Sequence, residues 1–353
     1  MKFATTALAG MATFLALTSP AFAKNKFPYC TGSTYEVSNK NCAKFDFKDV
    51  HTKCVETSNC TTFYDITNLP KQSINAHTTK MAELITNVFE NGNTKMGYAY
   101  VEALGDGRGY TCGYIGFTTG TNDALAVINQ YTKRKPKNAL SKYVPELERI
   151  SKLKFCDTKR NNTSGLSGFP KAWSTTACKD PVFVQTQLDV GNAMYLEPAL
   201  QYAKSVNVTS NLGKAIFYDT IINHGWQYVE PLINLPRILQ LTGPHRKHES
   251  EKSYLGRFLQ TRRQLMCCYP DDVWPPAADR VADLQRLLQN WKRNKDLKHP
   301  VTLKIYGVTV KGTENMSYDT AECKHEPKGW KLPAAKMLPV PDTCPNKLFE
   351  ATQ

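Results

Sequence analysis

Eleven cysteines in a chain of 353 residues restrict its fold more than any other feature, because every disulfide ties together two backbone points. Metal ligation is the competing use of so many thiols. No Cys-x-x-Cys pair occurs and none of the seven histidines stands at zinc-finger spacing, so metal ligation is a poor alternative to disulfides and no metal is expected. Disulfides persist in an oxidising compartment. Residues 1–23 agree with export: Lys2, the apolar run "ATTALAGMATFLALT" and the small-residue stretch "AFA" ending at Ala23 form the pattern of a signal peptide. The run is short for a membrane span and no later run is long and apolar enough, so a secreted, extracellular protein with no membrane span is expected. An odd count leaves one thiol over or an intermolecular bridge, and the pairing is not written in the sequence.

Four cysteines, Cys30, Cys42, Cys54 and Cys60, fall in a stretch rich in Thr and Asn and poor in aliphatic residues. Residues 24–72 therefore read as a disulfide-rich N-terminal extension packed on the main body, with a separate glycan-binding module as the rival. Residues 73–345 are long enough for one large domain or two lobes, and 346–353 form a C-terminal tail.

In "TTKMAELITNVFENG", Met81, Leu84, Ile85, Val88 and Phe89 repeat at helical spacing, and Asn91-Gly92 supplies a stop. Glu90 thus falls in the last turn of a helix, near the negative end of its dipole and beside the apolar face. Both placements disfavour a charge there. A solvated glutamate and a carboxylic acid held protonated are the two readings. Next, "MGYAYVEAL" alternates as a strand, "YTCGYIGF" reads as its returning partner, and "TNDALAVINQYTKRKP" reads as a helix capped by Thr121 or Asn122. Further helical patterns lie at about 143–153, 180–204, 211–224, 253–267 and 277–292. The fold expected is mainly α (α+β), with one small antiparallel sheet near its start.

Between the two strands stands "LGDGRGYT". A dinucleotide loop would need a sixth-position glycine where Tyr110 stands, and no Gly-Lys-Ser/Thr follows, so a phosphate cradle is excluded. A plain turn and a loop presenting Asp106 and Arg108 to a ligand remain. Sixteen residues separate Glu90 from Asp106. One carboxyl at a helix end and one in a solvated glycine turn suit glycoside hydrolysis, where one is kept protonated and the other activates water. Thr111 can hold that water. Any domain of this size has many Glu/Asp pairs, so the pair alone decides little.

"FENG" followed by "YVEALGDGRGYTCGYIGFTTGTNDAL" closely resembles the chitosanases of glycoside hydrolase family 46. The resemblance continues through "FPKAWSTTACKDPVF", "FYDTIINHG", "LGRFLQTRRQLM", "DRVADLQRLL" and "LKHPVTLKIYG", covering roughly residues 78 to 308. It implies a two-lobed lysozyme-like fold and internal, inverting hydrolysis of chitosan without a cofactor. Glu90 would be the general acid, Asp106 the general base, and Thr111 a holder of the attacking water. Arg108 and Asp123, and more weakly Tyr100 and His224, match substrate-binding positions. Asp219, Arg262 and Arg280 match a buried ion network that orients the glutamate. Without the resemblance, Arg262 and Arg280 read as solvated, Asp123 as a helix-dipole partner and His224 as a helix cap. Residues 24–70 and those after about 310 lie outside the match, and Cys112 directly after Thr111 departs from it.

The formal charge is +14, and +13 once Lys2 leaves with the signal. Such a surplus favours anionic partners at long range, yet chitosan is a polycation in mild acid. Glu102, Asp106 and Asp123 cluster around the glycine loop, and short-range pairing in a cleft outweighs a diffuse field screened within about 10 Å. A monomeric chitosanase is therefore expected, with no nucleic acid partner. The rivals are a lysozyme-type hydrolase of chitin or peptidoglycan and a non-catalytic binder of polysaccharide or nucleic acid.

Overall fold

Residues 27–47, 66–153, 157–226 and 232–334 are described by the structure, a computed structural model. The signal segment, the tail 346–353, and Cys54, Cys60, Cys156 and Cys344 lie outside the described residues. The extension contributes one helical turn, α1 (Asn39–Cys42), and its described part lies against the main body through disulfides Cys30–Cys267 and Cys42–Cys268. Around these bonds Arg263 donates to the Tyr29 carbonyl and lies 4.0 Å over the Tyr35 ring, while Lys44 reaches Gln264.

The stripe beginning at Met81 builds α2 (Ala76–Asn91), with Met81, Leu84, Ile85 and Val88 fully buried. Asn75 caps its start by accepting from the Thr78 amide, and Gly92 closes it at a φ of 71°. A three-stranded antiparallel sheet follows: β1 (Val101–Ala103), β2 (Tyr110–Cys112) and β3 (Phe117–Thr118). Glu102 stands opposite Thr111 in its first ladder. The sheet belongs to a lobe with α3 (Asp123–Arg134), α4 (Val144–Ser151), α5 (Phe169–Lys179) and α6 (Pro181–Gly191). A second lobe holds α7 (Glu197–Ser205), α8 (Asn211–His224), α9 (Leu235–Thr242), α10 (Glu251–Cys268), α11 (Ala278–Gln289) and α12 (Trp291–Asn294). Helix α2 packs along α8. The mainly helical architecture with a small early sheet is the one expected.

Three details differ from the expectation. The pattern at 180–204 is not one helix: a π-helical turn, Asn192–Leu196, separates α6 from α7. Pro198 has no amide to give the Met194 carbonyl four residues back, and the Trp226 indole fills that place at 2.8 Å. Helices α5 and α9 escaped the sequence reading; in α5 the buried positions Phe169, Trp173 and Ala177 recur only every fourth residue among Ser, Thr and Lys. A second hairpin, β4 (Val301–Leu303) with β5 (Val308–Val310), lies late in the chain, its strands only three residues long. Among the described residues the free cysteine is Cys112, buried, with its thiol on the Phe117 carbonyl at 3.0 Å. Burial, and then the charge on Asp123, hold that thiol well above the usual range, so it is an inert core group.

Glu83, two turns before Glu90, is buried in α2 with no hydrogen-bond or ion-pair partner among the described residues. Tyr98, Tyr114 and Tyr218 surround it closely enough to feel its charge. Burial pushes its carboxyl up from 4.5 to about 8. Since the folded value lies above the unfolded one, the protonated form stabilises the fold. That stability is complete below about pH 4.5 and drains away as pH rises through about 8. Glu83→Gln should therefore remove much of the fall in Tm between mildly acidic and mildly alkaline buffer, measured by calorimetry; an unaltered pH dependence would show that Glu83 does not titrate there.

Candidate active site

The β1–β2 turn presents Asp106. Gly105, Gly107 and Gly109 adopt φ of 73°, 85° and 77°, a left-handed course that side chains resist, which explains the glycine run. At Gly109 a Cβ would also come within 2.3 Å of Thr119 Oγ1. The loop is fastened at its β2 end, where Asn161 accepts from the Gly109 amide and the Gly120 amide donates to the Arg108 carbonyl. Asp106 is exposed; one oxygen accepts from the Arg108 amide at 3.0 Å and the other has no protein partner among the described residues. On β2 the Thr111 hydroxyl is buried and unpartnered. Tyr100 donates to Glu102 at 3.0 Å, and its own hydroxyl is pushed up to about 12 by burial, then by Glu102, with the charges of Glu322 and Asp106 adding to this.

Glu90 stands in the last turn of α2. Its Oε1 accepts from Arg280 Nη2 at 2.7 Å, while Oε2 has no partner among the described residues. The same Nη2 donates to Asp219 Oδ1 at 2.7 Å, and Asp219 Oδ2 accepts from Arg262 at 2.6 Å. Arg262 is completely buried and also reaches Thr220, Asn223 and Nε2 of His224. Two arginines against two carboxylates leave the network neutral if both acids are ionised. Burial raises the Asp219 carboxyl, but Arg280 and Arg262 outweigh it and hold it below the ordinary carboxylate range. His224 is pushed well below its usual range by burial and then by both arginines, so it is neutral. Because Nε2 accepts from Arg262, its proton sits on Nδ1, which is buried without a partner.

A cavity of about 230 Å³ opens between the lobes. Arg108, Thr121, Asp123 and Tyr195 line one side, His224 and Trp274 the other. Asp123 is enclosed: Oδ1 accepts from Thr118, Ala124 and Thr121, and Oδ2 from the Tyr195 hydroxyl. Burial, opposed by these four bonds, raises its carboxyl. Asn122, at a φ of 76°, makes no side-chain cap, and Asp123 takes over that task. The structure thus brings Arg108, Asp123 and His224 to one cavity and Glu90, Asp219, Arg262 and Arg280 to one network that His224 joins. Asp106, Tyr100 and Thr111 sit on the hairpin, and Glu90 does not line the cavity. Among the described residues no three His, Cys, Asp or Glu side chains converge as metal ligands, and no helix is long and apolar enough to cross a membrane.

The sequence reading missed Tyr195, Asn161 and Arg160. Tyr195 lies in the π-helical turn, whose only sequence signal was Pro198. Arg160, almost fully buried, donates to the carbonyls of Gly120, Ser151 and Leu153 and so ties the post-sheet loop to the end of α4. Nothing in its local pattern distinguishes it from a surface arginine.

Two carboxylates, each with one oxygen held and one open, in a mainly helical fold with an interlobe cavity supply the kind of groups that glycoside hydrolysis uses. Comparison with known proteins narrows the class: Glycosyl hydrolase family 46 matches residues 84–301, more than half the chain, and the protein belongs to that family. A chitosanase of Bacillus subtilis (strain 168) is 44% identical over 152 residues, 43% of this chain and 53% of the relative, so the alignment spans about half of that enzyme. A chitosanase of Streptomyces sp. (strain N174) is 34% identical over 65% of this chain and 80% of its own length. Among solved structures, a mutant chitosanase from Bacillus subtilis MY002 complexed with 6 GlcN superposes with a TM-score of 0.58 at 33% identity, covering 68% of this chain and 98% of that one.

Removing Arg262 would leave the buried Asp219 Oδ2 without its donor and Asp219 with Arg280 alone. Arg262→Ala should cost about 3–5 kcal/mol and lower Tm by on the order of 10 °C, read by thermal denaturation. A loss no larger than that of a surface arginine would mean that the network contributes little to stability.

Proposed function

We propose that the protein is a secreted endo-chitosanase that cleaves β-1,4-linked glucosamine chains with inversion. The observation that carries this reading is the matched state of the two carboxyls within a family 46 chain: Glu90 and Asp106 each keep one oxygen in a protein hydrogen bond and one open. Glu90, held by Arg280, donates its proton to the leaving glycosidic oxygen. Asp106 takes a proton from water, and the orphaned Thr111 hydroxyl orients that water. Water attacks the anomeric carbon as the bond to the leaving oxygen breaks, so one displacement inverts the centre. The Asp219–Arg262–Arg280 network fixes the Glu90 rotamer. Arg108, Asp123, Tyr100 and His224 bind the sugar chain, Arg108, Asp123 and His224 from the interlobe cavity. Three disulfides among the described cysteines support an oxidising, extracellular setting.

Reducing-end release from chitosan, chitin and peptidoglycan, assayed side by side, should show cleavage of chitosan; preference for either other polymer would replace this reading. Glu90→Gln and Asp106→Asn should each lose about a hundredfold or more in kcat while retaining the native circular dichroism. Fresh product examined by NMR should be the α-anomer, and a β-anomer would reject inversion.

Asp123 concerns binding rather than bond cleavage. Asp123→Asn should raise KM on highly deacetylated chains more than on partly acetylated ones, since the lost charge matters only to ammonium groups. Equal losses on both would remove the electrostatic role.

A further inference from the structure

The glycine loop has two roots, and they are held by different parts of the chain. The β2 root is fixed from within its own lobe by Asn161, Thr119 and Gly120. The β1 root is fixed by the segment after β5, beyond the residues that match family 46. Asp319 there is completely buried. Its Oδ2 accepts from the Ala99 amide at 2.7 Å, while Oδ1 accepts from the amides of Ala321 and Glu322 and so folds its own loop. One residue earlier, the Tyr98 hydroxyl donates to the Met316 carbonyl at 2.6 Å. Disulfide Cys178–Cys323 fastens the same segment to α5. On the inner side the Tyr98 carbonyl accepts from Trp173 and Gln187.

Strands β1 and β2 are three residues each, and a hairpin that short does not hold its own position. Tyr100, directly after the anchored Ala99, accepts from the Gly113 amide and thereby begins the ladder that runs to the Ala103–Tyr110 pair, between which the turn carries Asp106. We infer that Asp319 is a positioning residue for catalysis: through the Ala99 amide it sets where β1 starts, and hence where Asp106 and Tyr100 stand relative to Glu90. A displacement of about 1 Å in a general base can cost on the order of a hundredfold in rate, so a tether at the root of the hairpin acts on turnover and not on stability alone. The inference rests on the reading of Asp106 as general base.

Asp319→Asn is nearly isosteric, but its amide nitrogen cannot accept from a backbone N–H, so the Ala99 contact or the loop contacts are lost. At a temperature where the variant is fully folded, kcat on chitosan should fall about tenfold with KM within about twofold. Amide hydrogen exchange should quicken at residues 99–103 and stay unchanged in α8. If Asp319→Asn fails to fold, Tyr98→Phe, which removes only the hydroxyl bond to the same segment, should lower kcat about two- to threefold. A lowered Tm with kcat unchanged in the folded variants would make the segment a structural clamp only and overturn the inference. Activity retained in Asp106→Asn would instead overturn the assignment of the base, so the two failures are separate.

Discussion

The Asp219 carboxylate is the point on which α2, α8, α10 and α11 converge. It comes from α8, the central helix against α2, and it divides its two oxygens between Arg280 of α11 and Arg262 of α10. Arg280 then carries the arrangement to Glu90 at the end of α2. Four helices are therefore held in mutual register by one anion. Its burial is strongly unfavourable in isolation, and two guanidinium groups with geometrically fixed donors offset it. Such a network specifies geometry better than it adds net stability: a carboxyl on the frayed end of a helix would otherwise sample several rotamers, and here one oxygen is immobilised while the other stays open.

How much of this was legible in the sequence depended on the range of the interaction. The α2 stripe, its Gly92 stop and the hairpin around Asp106 are local patterns, and the structure follows them closely. The grouping of Asp219, Arg262 and Arg280 came only through family resemblance, because arginines separated by long stretches of helix look solvated until α10 and α11 pack together. Tyr195 and Arg160 were invisible for the same reason. Each serves a partner far away in sequence, Asp123 for one and the carbonyl of Gly120 for the other. Asp319 was unreadable twice over, standing beyond the family segment in a stretch with no periodicity.

The excess of positive charge and the polycationic substrate proposed above are reconciled by distance. Among the described residues Glu102, Asp106 and Glu322 have no lysine or arginine within ion-pair reach, and all three bear on the Tyr100 hydroxyl. The basic surplus belongs to the rest of the surface, where solvent and salt screen it within about 10 Å. A local acidic cluster on a basic body gives association with a polycation a salt dependence opposite to that of two simple opposite charges: added salt weakens the repulsive approach more than it weakens the close contacts.

The pairing of Cys30 and Cys42 with the adjacent Cys267 and Cys268 has a consequence in time. The partners are 237 and 226 residues apart, so the first cysteines to be synthesised wait for α10 of the second lobe before they can pair correctly. In the oxidising setting proposed above they are open thiols through that interval, with Cys54 and Cys60 nearer in sequence as competitors. Successive side chains on α10 point about 100° apart, so exchanging the two partners would send the extension across the helix in another direction. Long-range pairs of this kind make correct bonding depend on reshuffling, so oxidation faster than thiol–disulfide exchange favours misbonded forms.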